Sequence, residues 1–157
     1  MSRILAVWVG REHKRDPETQ LCQRYLERIS RYFRIEQKVI KPLQTGSDDT
    51  IRKRESEKIL ETIDNRDTLI MCDERGKQLS SPELAQWMGG RFDAADRRLV
   101  FVIGGAMGVT DELRRRADFM LSLSRMTLPH ALARVVLFEQ IYRALSIRAG
   151  HPYHHEG

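Results

Sequence analysis

Short apolar runs alternate along this chain with longer segments whose apolar positions recur every three or four residues. The runs are "ILAVWV" (4–9), "IEQKVI" (35–40), "TLIMC" (68–72), "RLVFVI" (98–103) and "FMLSLS" (119–124). Apolar stretches of this length, bounded by turn-forming residues, predict strands. Between them a helical period predicts helices over Pro17 to Phe33, about Asp48 to Ile63, Ser80 to about Phe92, Thr110 to Ala117 and Pro129 to about Ala149. Strand and helix alternate five times, which predicts an α/β fold in a single domain, 1–157, with a mostly parallel sheet and helices on both faces.

Boundary residues support this division. Asp16-Pro17 and Ser81-Pro82 each set a capping side chain before a proline in a first helical turn, where the missing N–H costs nothing. Gly46, Ser47 and Asp48 mark the start of the second helix, and Gly150 followed by Pro152 stops the last one. That last helix is apolar nearly all round: Leu132, Val135, Val136, Leu137, Phe138, Ile141, Tyr142, Leu145 and Ile147 cover more than one face. A helix outside one small sheet buries a single stripe, so a second apolar neighbour is expected, and a homodimer is its simplest source. Deep packing within its own domain is the alternative.

Charge adds a partner class. Lys and Arg outnumber Asp and Glu by 27 to 22, a net +5, which suits an anionic partner such as nucleic acid but also an ordinary solvated surface. Two cysteines, Cys22 and Cys72, with no secretory leader, predict free thiols and a cytoplasmic location. No apolar run reaches the roughly 20 residues that span a bilayer, so no membrane anchor is expected.

Candidate chemistry gathers at strand ends. "FVIGGAMG" puts Gly104, Gly105 and Gly108 after a strand, but a dinucleotide fingerprint needs a further glycine where Ile103 stands, and an acidic residue about 20 positions on, where "SLSRMT" has none. No Gly-Lys-Ser/Thr follows, so this is not a P-loop. The glycines allow close approach of backbone to a ligand, or simply a tight turn. "MCDERGK", "GGAMG" and "SRMTLPH" follow three strands and could line one cleft beyond their carboxyl ends. An NADP site using Gly104, Gly105 and Arg125 remains open, as does a non-catalytic RNA-binding or ribosome-assembly role.

The tail "HPYHHEG" carries Tyr153 among His151, His154 and His155, whose spacing matches no common zinc pattern, so no metal is expected. An aromatic beside imidazoles can stack on a base and move a proton. Arg11, Lys14 and Arg15 after the first strand, with Arg143 in the last helix, are candidate phosphate contacts. "ELRRRA" reads foremost as a solvated helix face.

Taken together, "DERGKQLSSPELA", "FVIGGAMG", "LSLSRMTLPHALARVVLFEQIYRALSI" and "HPYHHE" closely resemble the SPOUT-class methyltransferases that act on N-3 of a pseudouridine in large-subunit (23S) ribosomal RNA. The resemblance spans nearly the whole chain and is densest from Asp73 onward. It implies a C-terminal trefoil knot over about residues 98–150, a homodimer, and S-adenosyl-L-methionine bound largely by backbone. Position by position, it implies cofactor contacts at Cys72, Gly104, Gly105, Ser124, Arg125, Met126, Thr127 and Leu128. Tyr153 and His154 match the tail that such enzymes bring to the active site from the partner subunit, with His154 the candidate base and Tyr153 stacking on or orienting the substrate base. The expected substrate is 23S rRNA within the assembled ribosome. Cys72 stands where leucine is common, Arg125 where small or apolar residues are frequent, and His155 where a basic residue is usual.

Overall fold

A computed structural model describes residues 3–93 and 97–155. Five strands, β1 (Ile4–Val9), β2 (Ile35–Ile40), β3 (Thr68–Gln78), β4 (Leu99–Ile103) and β5 (Phe119–Ser122), form one parallel sheet in the order β2-β1-β4-β3-β5. The helices are α1 (Pro17–Ile29), α2 (Asp48–Glu61), α3 (Ser81–Asp93), α4 (Asp111–Arg116) and α5 (His130–Arg148).

Alternation along β1 shows how the layers arise. Ile4, Ala6 and Trp8 enter one core with residues of α1, α3 and α5, while Leu5, Val7 and Val9 enter a second core with Ile59 of α2 and Leu113 of α4. A strand between two helical layers must be apolar on both sides, which is why "ILAVWV" and "LVFVI" lack polar positions and are buried throughout. The edge strand β2 can keep Glu36, Gln37 and Lys38.

Three of the differences from the sequence-based boundaries have a visible cause. Helix α1 stops at Ile29, and Tyr32 and Phe33 turn back to donate to the Ile29 carbonyl. The cap of α3 is Ser80, not Ser81: its hydroxyl accepts the Glu83 N–H while the Glu83 carboxylate accepts the Ser80 N–H, a reciprocal capping box. Strand β3 does not end at Cys72. After a register shift, Lys77 and Gln78 pair again with β5, and Gly76 passes so close to the Met120 carbonyl that a Cβ there would lie 2.7 Å from it. The bulge throws Asp73, Glu74 and Arg75 out beside the strand ends.

Helix α5 lies between α1 and α3, and these neighbours with the sheet cover Leu137, Phe138, Ile141, Tyr142 and Leu145. Much of its excess apolarity is therefore met within the chain; Leu132 stays 43% exposed. Its least expected buried residue is Arg134, 1% exposed, with its guanidinium 3.9 Å from the Trp8 ring centroid. Arg134 donates to Glu12, to Gln37 Oε1 and to Thr19 Oγ1, while Trp8 Nε1 donates to the His130 carbonyl. These bonds tie the β1–α1 loop, with exposed Arg11, Lys14 and Arg15, to the start of α5.

Candidate active site

Beyond the carboxyl ends of β3, β4 and β5 lies a cavity of about 460 Å³. Its wall contains Cys72 from β3, Gly104, Gly105 and Gly108 from the β4–α4 loop, and Ser124, Met126, Thr127 and Leu128 from the β5–α5 loop. Thus the three strand-end segments do converge. Arg125 is exposed and not part of the wall, which removes the residue an NADP 2′-phosphate would have needed there.

The glycines shape the floor. A Cβ on Gly104 would lie 2.7 Å from Val109, and one on Gly105 would lie 2.5 Å from Glu55 and 3.1 Å from Val9. Gly108, at φ +78°, donates to the Gly105 carbonyl and closes the turn, a conformation that side-chain-bearing residues rarely adopt. Bare backbone can therefore face a ligand.

The residues thrown out by the β3 bulge complete the wall, together with Arg114 of α4 and His130. Asp73 accepts from both Arg75 and Arg114. Burial pushes its carboxyl up, but the hydrogen bonds from the Arg75 side chain and backbone and from Arg114 outweigh that and hold it well below the usual carboxylate range. Glu74 accepts from the Thr127 hydroxyl and its backbone carbonyl from Ser122, so the bulge is latched to the β5–α5 loop. Burial, and then the Asp73 charge, push the Cys72 thiol up to about 12. Cys72 is thus a small wall residue that stays protonated, not a nucleophile.

Arg114, and its pairing with Asp73 of "MCDERGK", escaped the sequence reading. "ELRRRA" looked like a solvated face, yet of its three arginines only Arg115 is exposed: Arg114 turns to the cavity and Arg116 bonds Asp118 and the carbonyls of Asp64 and Asp67. A strand expected to end at Cys72 gave no cue that Asp73 would meet α4.

Tyr153, His154 and Arg143 form a second cluster that does not line the cavity. The Arg143 guanidinium donates twice to Glu139, lies 4.8 Å from the Tyr153 ring centroid, and donates to His154 Nδ1 at 3.1 Å. The Tyr153 hydroxyl donates to the same Glu139 oxygen, and burial, then its bonds to Tyr25 and Glu139, push its phenol up to about 12. An arginine can only donate, so Nδ1 accepts and the His154 proton sits on Nε2, which is buried without a partner. Arg143 is engaged in this cluster, apart from the Arg11, Lys14 and Arg15 loop.

Among the described residues no helix is long and apolar enough to cross a membrane, and no group of His, Cys, Asp or Glu could hold a metal ion. The model of the family described as "Predicted SPOUT methyltransferase" matches residues 2–154. A ribosomal RNA large subunit methyltransferase H of Geotalea daltonii is 39% identical, covering 98% of this chain and 99% of its own. The protein of that name from Geobacter metallireducens is 40% identical with the same coverage. That of Chromobacterium violaceum is 47% identical over 84% of this chain and 86% of its own.

Proposed function

The chain belongs to the SPOUT methyltransferase family, and we propose that it uses S-adenosyl-L-methionine to methylate N-3 of a pseudouridine in 23S rRNA. The observation that carries this reading is the cavity itself, whose floor is glycine backbone beyond the ends of three parallel strands. Such a site is built to bind and orient. The cofactor, when bound, supplies an electrophilic methyl carbon.

An in-line displacement then asks the protein chiefly to align nitrogen, carbon and sulfur, an effect worth up to ~7–11 kcal/mol. Gly104, Gly105 and the loop from Ser124 to Leu128 would hold the cofactor edge to edge with backbone groups. Met126, 77% exposed, lies at the cavity mouth and offers an apolar side chain to cover it.

The substrate base is met by Tyr153 and His154. Neither lines the cavity of its own chain, so in this reading a second copy supplies them, and the active enzyme is a homodimer with two composite sites. In the arrangement described, His154 offers its Nε2 proton; to accept the N-3 proton as a general base, it must first be released by Arg143. The exposed Arg11, Lys14 and Arg15 meet phosphates of the ribosome, and the trefoil knot over about residues 98–150 belongs to the same reading.

The test is transfer of labelled methyl to ribosomes lacking the modification, with free rRNA alongside and mapping of the labelled nucleoside. Label on a pseudouridine of ribosomes but not free rRNA supports the proposal, whereas cofactor binding with no label on either removes the substrate assignment. Mixed dimers of a His154→Ala subunit and a Gly105→Val subunit should regain activity neither parent has; no recovery would show that the tail serves its own cavity.

A further inference from the structure

One face of α2 grips the cofactor loop. Arg52, Glu55 and Ser56 stand at helical spacing, and each touches the segment between Gly105 and Thr110. Arg52 Nε donates to the Met107 carbonyl at 2.9 Å, and Ser56 Oγ accepts the Thr110 N–H at 3.0 Å. The Glu55 carboxyl lies directly behind Gly105.

Glu55 is the unusual member. It is 2% exposed, and Oε2 accepts the Leu43 N–H at 3.0 Å, while Oε1 has no hydrogen-bond partner and faces Gly105. Among the described residues it has no ion-pair partner within salt-bridge distance. A buried carboxylate with an idle oxygen costs stability unless some positive charge offsets it. Gly105, which has no side chain, both lines the cavity and adjoins this oxygen.

We propose that Glu55 is the residue that makes the cavity prefer a cationic ligand, its charge acting across Gly105 while Arg52 and Ser56 fix the loop between them. The proposal rests on the reading that the cavity binds S-adenosyl-L-methionine. That cofactor carries a sulfonium, and S-adenosylhomocysteine, its product, is the same molecule without the methyl and without that charge. A through-space charge separates the two ligands; a merely structural role treats them alike. Glu55 thereby acts on the ligand through the loop and counts as a positioning residue.

Calorimetric binding of both ligands to wild type, Glu55→Gln and Glu55→Asp tests it. Glutamine keeps the shape and the acceptor for the Leu43 N–H but removes the charge. It should lower affinity for the sulfonium ligand relative to the thioether by roughly tenfold, the scale of a partly screened charge pair across a thin layer of protein. Aspartate should keep the wild-type ratio even if both affinities fall, and so controls for lost packing. An unchanged ratio in Glu55→Gln, or an equal change of ratio in Glu55→Asp, overturns the proposal. Wild-type protein that binds neither ligand overturns the cofactor reading itself, and this inference with it.

Discussion

Replacing Arg134 by alanine removes a cation from the middle of the molecule, and its contacts set the cost. The guanidinium stacks on Trp8 in a dry environment, an interaction worth about 2 kcal/mol. Its bonds to Thr19 and Gln37 are charge-assisted and contribute about 1.5 kcal/mol each. Against these stands the desolvation of the buried cation, which the substitution relieves. Glu12, with a side chain 35% exposed, can rehydrate when its partner goes, so the severe penalty of a stranded buried charge does not apply. The net expectation is a loss of about 3 kcal/mol, seen in urea unfolding or as a fall in Tm of roughly 6–12 °C. Arg134→Lys keeps the charge but not the flat fork, and should recover less than half of this. Glu12 sits beside Arg11 and ahead of Lys14 and Arg15, so if that loop meets rRNA as proposed, loosening it should also weaken binding to ribosomes although none of those three charges is lost. Stability of Arg134→Ala within about 0.5 kcal/mol of wild type, the range of an ordinary surface change, would refute the argument.

Gly105→Ala should cost about 1–3 kcal/mol from the clash with Glu55 and Val9, and should lower cofactor affinity in calorimetry by more than the stability loss alone explains. Asp73 has a folded-state pKa below its unfolded value, so the stability it contributes is present above about pH 4 and lost as pH falls through the folded value; Asp73→Asn should be less stable at neutral pH and converge on wild type in acid-unfolding curves. With burial pushing Cys22 to about 11 and Cys72 to about 12, both thiols should resist iodoacetamide at pH 8 in the folded protein and react on unfolding, as mass spectrometry would show. Ser47→Ala removes the side chain that accepts the Thr50 N–H at the start of α2, and should cost about 1 kcal/mol in urea unfolding.

The strands buried on both faces were legible from composition alone: Ile4–Val9 and Leu99–Ile103 match the apolar runs, and Pro17 and Pro82 mark their helix starts because proline fits the first turn. The strand-end segments were legible as cleft walls because parallel topology brings carboxyl ends together. The rest depended on contacts between distant residues. The second half of β3 is polar and pairs with β5 only after a register shift, so the meeting of Asp73 with Arg114 could not be foreseen. Arg134 is a cation within an apolar helix, and its burial follows from Trp8 and Glu12, more than a hundred residues earlier. Glu55 carried no signal at all in "RESEK". Meanwhile α5, which suggested a second copy, found α1 and α3 within its own chain.

The strand order has a consequence for how the molecule comes to be made. The central strand of the sheet is β4, and β1, the first strand synthesised, depends on it along one edge, Ile4 beside Leu99 and Trp8 beside Ile103. Until β4 leaves the ribosome, a strand that is apolar on both sides has a bare edge and only β2 for company. Contacts so distant in sequence make for slow folding, and an uncovered apolar strand in the interval invites misassociation. The same late strand delivers the glycine loop, and β5 with the Ser124–Leu128 segment follows it, so the sheet and the cavity are completed together by the C-terminal part of the chain. A nascent chain stopped short of β4 would therefore have both an exposed edge and no site, and its first stable fold would already be the one able to bind.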